Sequence, residues 1–416
     1  MSFRIKEQTP GLLHFAAINI FAFASLSVYL IANNIEINDN LLFGSLDSQE
    51  YLRAGIDLWN GTFSEAASRR PLLYPIFLLL TYGAGGAKAI CFIQAIAWLI
   101  SANLLASSAY VVTGKKTYYL LGGFGFLINF SIMSMVMQAL TEVITILLLS
   151  IMVFFVAKNF HKRRRPGFII VLVFLFSILA VIRPVFIHIV TLSVLVSLFF
   201  YHEAFRKKPL YLLVLLMSLS PVIAQVSIMK QQYNMFGVSR ISDDTLRLYL
   251  VTKALHDEHH EAYDSAAYQQ CMKVAAGMTK KEIFNHVSEN PGLYVTQFRK
   301  NLIDNIRASS SFLLPQSVFR RIMKHINNGY FVTHFAALLA LTFLVVRIRR
   351  LGISKLLLPV VFLVPGWYII LTSGISFWQG DRLILPAWPL CLMAYLILIN
   401  ELVGLTNEHA PAVARQ

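Results

Sequence analysis

Asp47 and Glu50 stand three residues apart in the run Asp-Ser-Gln-Glu. On a helix this spacing puts both carboxylates on one side. A carboxylate so placed can take a proton from an attacking hydroxyl. The spacing also suits helix capping, with Asp47 as N-cap and Glu50 three residues on as a variant capping box. The two readings are compatible, because a cap also holds a carboxylate in place. Four arginines and one more acid have comparable chemical potential. Arg69 and Arg70 precede Pro71, Arg183 precedes Pro184, Arg382 follows Asp381, and Glu142 opens an apolar run. Arginine stays charged and can bind two phosphate oxygens at once. A carboxylate inside an apolar run is costly and usually faces a cavity or a partner. The alternative for Glu142, Arg183 and Arg382 is snorkelling to the membrane interface. For Arg69 and Arg70 it is a plain surface role.

The run from His256 to Glu261 holds His256 and His260 four residues apart, a spacing that can bind zinc. It matches no zinc-enzyme order, and it reads as a solvated polar turn. The sequence has no Gly-rich phosphate loop, CxxC pair or Ser-centred elbow.

The elements that must position these groups are membrane spans. Of 416 residues, 57% are hydrophobic and 14% charged, against about a quarter charged in a soluble domain. That excludes a single soluble enzyme domain and excludes disorder. It leaves a polytopic membrane protein with room for about ten spans and one large loop. The net charge of +15 would suit nucleic acid. However, the basic residues cluster in short loops between apolar runs, so the membrane accounts for the excess and no nucleic-acid partner is expected. Cys91 and Cys391 lie in apolar runs and Cys271 in a polar stretch, so no disulfide framework is expected. The first apolar run lacks a small-residue cleavage site, so no cleavable signal peptide is expected.

Apolar runs over 11–33, 89–113, 117–138, 139–157, 167–182, 185–201, 209–228, 330–346, 356–375 and 383–402 predict ten spans. The connections rich in Lys and Arg are 4–6, 115–116, 158–165, 206–208 and 347–355. All of them fall on one side of a ten-span chain, which the positive-inside rule makes cytoplasmic together with both termini. Residues 34–88, 229–329 and 376–382 then face outward. The predicted organisation is an N-terminal membrane module (1–228) holding the first outer loop (34–88), an outer helical subdomain (229–329) and a C-terminal membrane module (330–416).

Within the first outer loop, Tyr51, Leu52, Gly55, Ile56 and Trp59 recur at helical spacing. This predicts an amphipathic interfacial helix over 46–60, ended by Asn60-Gly61. The apolar segment 72–82 is too short to span and reads as a second interfacial or re-entrant helix. In the large loop, Thr279 and Glu282 form a capping box. Asn290-Pro291 opens a helix with Tyr294, Phe298, Leu302 and Ile306 on one face. This subdomain either covers a cavity and selects an acceptor or simply packs against the bundle.

One span, then Asp-Ser-Gln-Glu-Tyr51, an amphipathic helix and Arg69-Arg-Pro-Leu-Leu-Tyr-Pro75 resembles the start of the GT-C membrane glycosyltransferases. That superfamily includes the protein O-mannosyltransferases and the bacterial aminoarabinose transferase. Gln138-Ala-Leu-Thr-Glu142 is similar to the acidic start of its fourth span. Ile182-Arg183-Pro184 is similar to its Arg-Pro after the fifth, and Gln379-Gly-Asp-Arg382 with Leu385-Pro386 to its late arginine-bearing link. The likeness runs in order from about residue 11 to 400, and 229–329 has no matching motif.

The resemblance implies an all-α polytopic membrane protein with a GT-C-like bundle. It implies transfer of a sugar from a polyprenyl-phosphate donor to a lipid-linked or other cell-envelope glycan acceptor, with inversion at the anomeric carbon. The base would be an acid of the first outer loop. Asp47 is the first choice, and Glu50 stays open because Ser48 and Gln49 intervene. Arg69, Arg70, Glu142, Arg183 and Arg382 would bind the donor phosphate or substrate. No cofactor is read, and a divalent metal remains an option. The expected location is a bacterial inner membrane, among its lipids, with the site facing the periplasm. Two other classes remain. An O-antigen-type ligase or polymerase would lean on loop arginines and histidines. A non-enzymatic lipid-glycan transporter would show inverted repeats.

Overall fold

The computed structural model describes residues 10–259, 264–307, 318–346, 353–377 and 379–408. All regular structure among the described residues is helical. The first helix, α1 (Leu12–Ala32), buries only Ile18, Ala22 and Tyr29, so most of its apolar surface suits lipid. Polar caps then start three helices. Asn38 accepts from the Leu41 N–H before α2 (Asp39–Leu42). Ser45 accepts from the Ser48 N–H before α3 (Leu46–Trp59), and Ser64 from the Ala67 N–H before α4 (Glu65–Arg69). Each cap satisfies an otherwise unpaired donor of a first helical turn.

The expected amphipathic helix is α3, with Ser48, Tyr51, Ala54 and Gly55 buried and Trp59 exposed. It crosses α5 (Leu73–Thr113) at Gly55, where a Cβ would lie 2.6 Å from the Pro75 carbonyl oxygen. The segment expected as a separate interfacial helix is the first part of α5. It joins the following span through a kink at Gly85-Gly86, where Gly86 has a φ of 63° that glycine alone adopts freely. Because the clash at Gly55 is with backbone, Gly55→Ala is expected to push α3 off α5. The cost should be about 1–3 kcal/mol, read as a lower thermal midpoint in detergent. An unchanged midpoint would show that the two helices part freely.

After α5 come α6 (Lys116–Leu127), α7 (Phe130–Met135) and α8 (Glu142–Asn159). The apolar run 117–138 is therefore broken. Its helix α6 has 12 residues, about 18 Å at 1.5 Å per residue, short of a hydrocarbon core of about 30 Å. The Asn129 side chain accepts from the Ile132 N–H and restarts the chain as α7. The irregular backbone beyond α7 is buried, and protein groups supply its hydrogen bonds. Gln94 donates to the carbonyls of Val136 and Gln138, and Gln138 donates to that of Leu41. Non-helical backbone at membrane depth is tolerated only under that condition.

Helices α9 (Pro166–Ile182), α10 (Ile187–Phe200), α11 (His202–Lys207), α12 (Leu210–Ser218) and α13 (Ser220–Tyr233) follow. The expected 209–228 span is α12 plus α13, bent by 53° where Pro221 enters the first turn of α13. The region expected as an outer subdomain consists of α14 (Ile241–Thr245), a π-helical turn at Leu246–Val251, α15 (Thr252–His259), α16 (Ser265–Gly277), α17 (Lys280–Glu289) and α18 (Pro291–Arg307). It has a small core around Leu250, Val251, Ala275 and Tyr294, and the Thr279/Glu282 capping box is present. The bundle closes with α19 (Val318–Val346), α20 (Ile353–Thr372) and α21 (Trp388–Glu408).

Among the described residues, five helices are long and apolar enough to cross a membrane, or six with the bent pair. Shorter apolar helices lie at Pro166–Ile182, Pro184–Phe200 and Ala336–Val346. The chain thus has the helices of an integral membrane protein, and length alone accounts for five or six of the ten expected spans. Helices α5, α6, α8 and α21 pack at the centre. A Cβ on Gly122 of α6 would lie 2.9 Å from the Leu105 carbonyl oxygen, beside Ala106 and Ala109. Small residues let apolar helices gain close dispersion contact, which matters where lipid removes most of the hydrophobic drive.

Connectivity decides which helix ends share a level. Helix α8 runs from Glu142 towards the basic stretch 158–165, and α9 returns from it to Arg183. Helix α20 ends at Thr372 and α21 departs from Trp388. At the opposite end, Lys115 Nζ donates to Asn400 Oδ1 at 2.9 Å, tying the α5–α6 turn to the far part of α21.

Candidate active site

At the shared end, the charged residues singled out in the sequence meet. The first turns of α3 carry Asp47 and Glu50, the α4–α5 junction carries Arg69 and Arg70, and α8 opens with Glu142. Arg183 ends α9, because Pro184 cannot extend that helix. Arg382 sits in a 3-10 turn between α20 and α21.

Arg70 donates from Nε to Glu50 Oε2 and from Nη2 to Asp47 Oδ1, both at 2.6 Å. Its guanidinium lies over the Tyr51 ring, 4.5 Å from the centroid, a favourable cation–π arrangement. Arg382 contacts the other Asp47 oxygen at 2.7 Å through Nη2. It also donates to Glu142 Oε1 at 2.8 Å and to Gln379 Oε1 at 3.2 Å. Arg69 is shared among Asp244 and Glu65 at 3.0 Å and Glu50 at 3.4 Å. Arg183 Nη1 approaches Glu142 Oε1 only to 3.7 Å, too far for a hydrogen bond.

These contacts remove two of the simpler readings. Ser45 is the N-cap of α3, so Asp47 is not a cap, and both of its oxygens go to arginines. Glu142 does not snorkel, since its side chain is 1% exposed and paired. Asp47 sits half-sheltered between two guanidiniums. Burial pushes its pKa up, but Arg382 and Arg70 outweigh burial and hold the carboxyl well below its usual range. Burial also works against the charge on Arg382, and Glu142 and Asp47 more than offset that.

The cluster borders a cavity of about 270 Å³. Asp47, Arg69, Arg70, Glu142, Arg183 and Arg382 all line it, and Glu50 does not. Asp47 is therefore the carboxylate of the pair that a ligand can reach. Glu142 Oε2 and Arg183 Nη1 are buried and without a hydrogen-bond partner among the described residues. An unpaired buried donor is costly, and a ligand oxygen beside Arg183 would remove that cost. Arg70 fills the gap between Asp47 and Glu50, so a divalent ion could bind both only if Arg70 withdrew. Among the described residues, no three His, Cys, Asp or Glu side chains are grouped to hold a metal.

Several residues that hold the site were not singled out in the sequence. Asn301 of α18 donates to the Gly374 carbonyl at 3.1 Å, and Asn305 to those of Ser373 and Ser376 at 2.9 and 2.8 Å. These bonds fasten α18 to the link that carries Arg382. Asp381 anchors the same link by accepting from Ser131 Oγ at 2.6 Å. The available signal was Gln297, Asn301 and Asn305 repeating every four residues along the buried side of α18. Tyr249 was also missed. It lines the cavity from the π-helical turn, a backbone irregularity that sequence does not announce and that recurs at functional sites.

His256 is not part of a solvated turn, as expected from its polar neighbours. It is fully buried, with Nδ1 against Asp257 at 3.1 Å and Nε2 accepting from the Asp264 N–H at 3.2 Å. Its proposed zinc partner, His260, lies outside the described residues. Comparison with protein-family models finds no match, and neither does comparison with curated proteins.

Proposed function

We propose that the chain is a GT-C-type membrane glycosyltransferase that moves a sugar from a polyprenyl-phosphate donor to a cell-envelope glycan or lipid acceptor. The observation that carries this reading is the meeting of Asp47, Arg183 and Arg382, from three distant parts of the chain, on one cavity. The cavity lies at the helix ends opposite the basic connections. An anionic leaving group and a proton acceptor are the two needs of such a transfer, and arginines and a carboxylate meet them.

In this reading the donor lipid stays in the bilayer, which lowers the entropic cost of bringing the phosphate to the site. Arg183, whose Nη1 has no hydrogen-bond partner among the described residues, receives a phosphate oxygen first. The acceptor oxygen attacks the anomeric carbon, and the bond from that carbon to the phosphate oxygen breaks. The departing phosphate keeps the electron pair. Its growing charge draws Arg183 and Arg382, which stabilise it. As Arg382 turns to phosphate, an Asp47 oxygen is released to take the acceptor's proton. Asp47 is a weak base at rest because two arginines hold it, so donor binding and base activation are coupled.

The full reading includes ten spans, both termini in the cytoplasm and the cavity facing the periplasm of a bacterial inner membrane. Cysteine-accessibility labelling at Arg164 and Glu258 should report opposite sides, and labelling of both from one side would overturn the orientation. The activity test supplies purified protein with polyprenyl-phosphate sugar, with polyprenyl-diphosphate glycan, or with neither. Transfer from the first alone is expected. Turnover of the second would indicate a ligase or polymerase, and turnover of neither would remove the enzymatic reading.

A further inference from the structure

The outer subdomain adds a second, uncharged lining to the cavity. Ser242, Thr245 and Tyr249 all border it. They lie three and then four residues apart, the spacing of one helical face. The last of them sits in the π-helical turn at Leu246–Val251. That turn is braced rather than loose. Thr252 Oγ1 donates to the Arg247 carbonyl at 2.8 Å and the Tyr268 hydroxyl donates to the Leu248 carbonyl at 3.0 Å. The Tyr249 ring meets Phe377 edge-on, with 5.5 Å between centroids. Among the described residues, none of the hydroxyls of Ser242, Thr245 and Tyr249 has a hydrogen-bond partner. A π-helical turn tends to persist where it aims a side chain at a functional site.

Two kinds of lining in one cavity imply a ligand with two kinds of group. We propose that Ser242, Thr245 and Tyr249 form a sugar-reading wall that hydrogen-bonds an uncharged, hydroxyl-rich pyranose while the arginines hold its phosphate. This inference rests on the glycosyltransferase reading above. The sugar is uncharged because the four arginines lining the cavity are already matched by the carboxylates of Asp47, Glu50, Glu65, Glu142 and Asp244, which leaves no surplus charge to pair a charged sugar. The hydroxyl wall offers no counter-charge to either sign.

The test measures binding to the purified full chain in lipid nanodiscs. The probes are polyprenyl phosphate, its mannose and glucose conjugates, and its aminoarabinose conjugate. A neutral hexose conjugate should bind more tightly than the bare carrier phosphate. Thr245→Val and Tyr249→Phe, both close in shape, should each lower that preference about five- to tenfold and leave binding of the bare carrier unchanged. The proposal fails if both variants keep the wild-type preference, or if the aminoarabinose conjugate binds best. It fails alone if the carrier binds and neither neutral sugar adds affinity. If the bare carrier does not bind, the glycosyltransferase reading fails and takes this inference with it.

Discussion

Asp47→Asn should lower single-turnover sugar transfer by about two to four orders of magnitude, the usual cost of losing a general base. The substitution keeps the shape and one acceptor oxygen, so an Arg70 or Arg382 contact can persist. It removes the charge and the capacity to take a proton. A helix-capping effect is absent from this comparison, because Ser45 caps α3. Glu50→Gln is expected to be milder, since Glu50 does not line the cavity and serves to hold Arg70. Wild-type transfer by both variants would leave the mechanism without a base. The two arginines also give Asp47 a pH signature. Its folded-state pKa is depressed, so its contribution to stability is complete above the ordinary carboxyl range near pH 4. That contribution is lost only as pH falls further, towards the depressed value. The stability gap between wild type and Asp47→Asn should therefore stay flat from about pH 8 to 5 and shrink below pH 4.

Arg382→Met should cause the largest loss of stability of any single change at the site. It strips a partner from Asp47 and leaves Glu142, 1% exposed, with only the distant Arg183. Breaking a buried pair from one side costs about 3–5 kcal/mol, because a buried charge is left uncompensated. Arg382→Lys can reach one carboxylate but not two, and is expected to fall between Met and wild type. Arg183 behaves differently, as its ion pair with Glu142 is long, 3.7 Å, and makes no hydrogen bond. Arg183→Lys should keep the thermal midpoint near wild type and still impair turnover, through loss of the planar contact to phosphate. Thermal midpoints and single-turnover rates separate the two arginines. A wild-type midpoint for Arg382→Met would contradict the ion-pair network, and wild-type turnover by Arg183→Lys would remove its phosphate role.

Much of the molecule follows from local sequence. Apolar runs long enough to span α1, α5, α8 and α20 leave the backbone no option but a helix, since only internal hydrogen bonds are available in lipid. Tyr51, Leu52, Gly55, Ile56 and Trp59 at helical spacing make α3 amphipathic, and the Thr279/Glu282 box starts α17 where expected. The types of the site residues were legible too, because charge at the ends of apolar runs stands out against its surroundings. Sequence could not show that the 117–138 run breaks at Asn129. Asn129 caps the next helix, and the irregular backbone beyond it is satisfied by Gln94, distant in the chain, which donates to the carbonyls of Val136 and Gln138.

The pairings were decided by tertiary structure alone. Asp47 and Glu50 are alike in sequence and both bind Arg70, but only Asp47 also meets Arg382 and lines the cavity. Arg183 and Arg382 are alike as well. Arg382 is locked to two acids because Asn301, Asn305 and Asp381 hold its link in place, while Arg183 at a helix end keeps a donor with no hydrogen-bond partner among the described residues. The sequence by itself determined which helices form and which charges were available. Three-dimensional packing determined which charges neutralise one another and which face the cavity. Such contacts join residues as far apart in the chain as Asp47 and Arg382, and no local propensity encodes them.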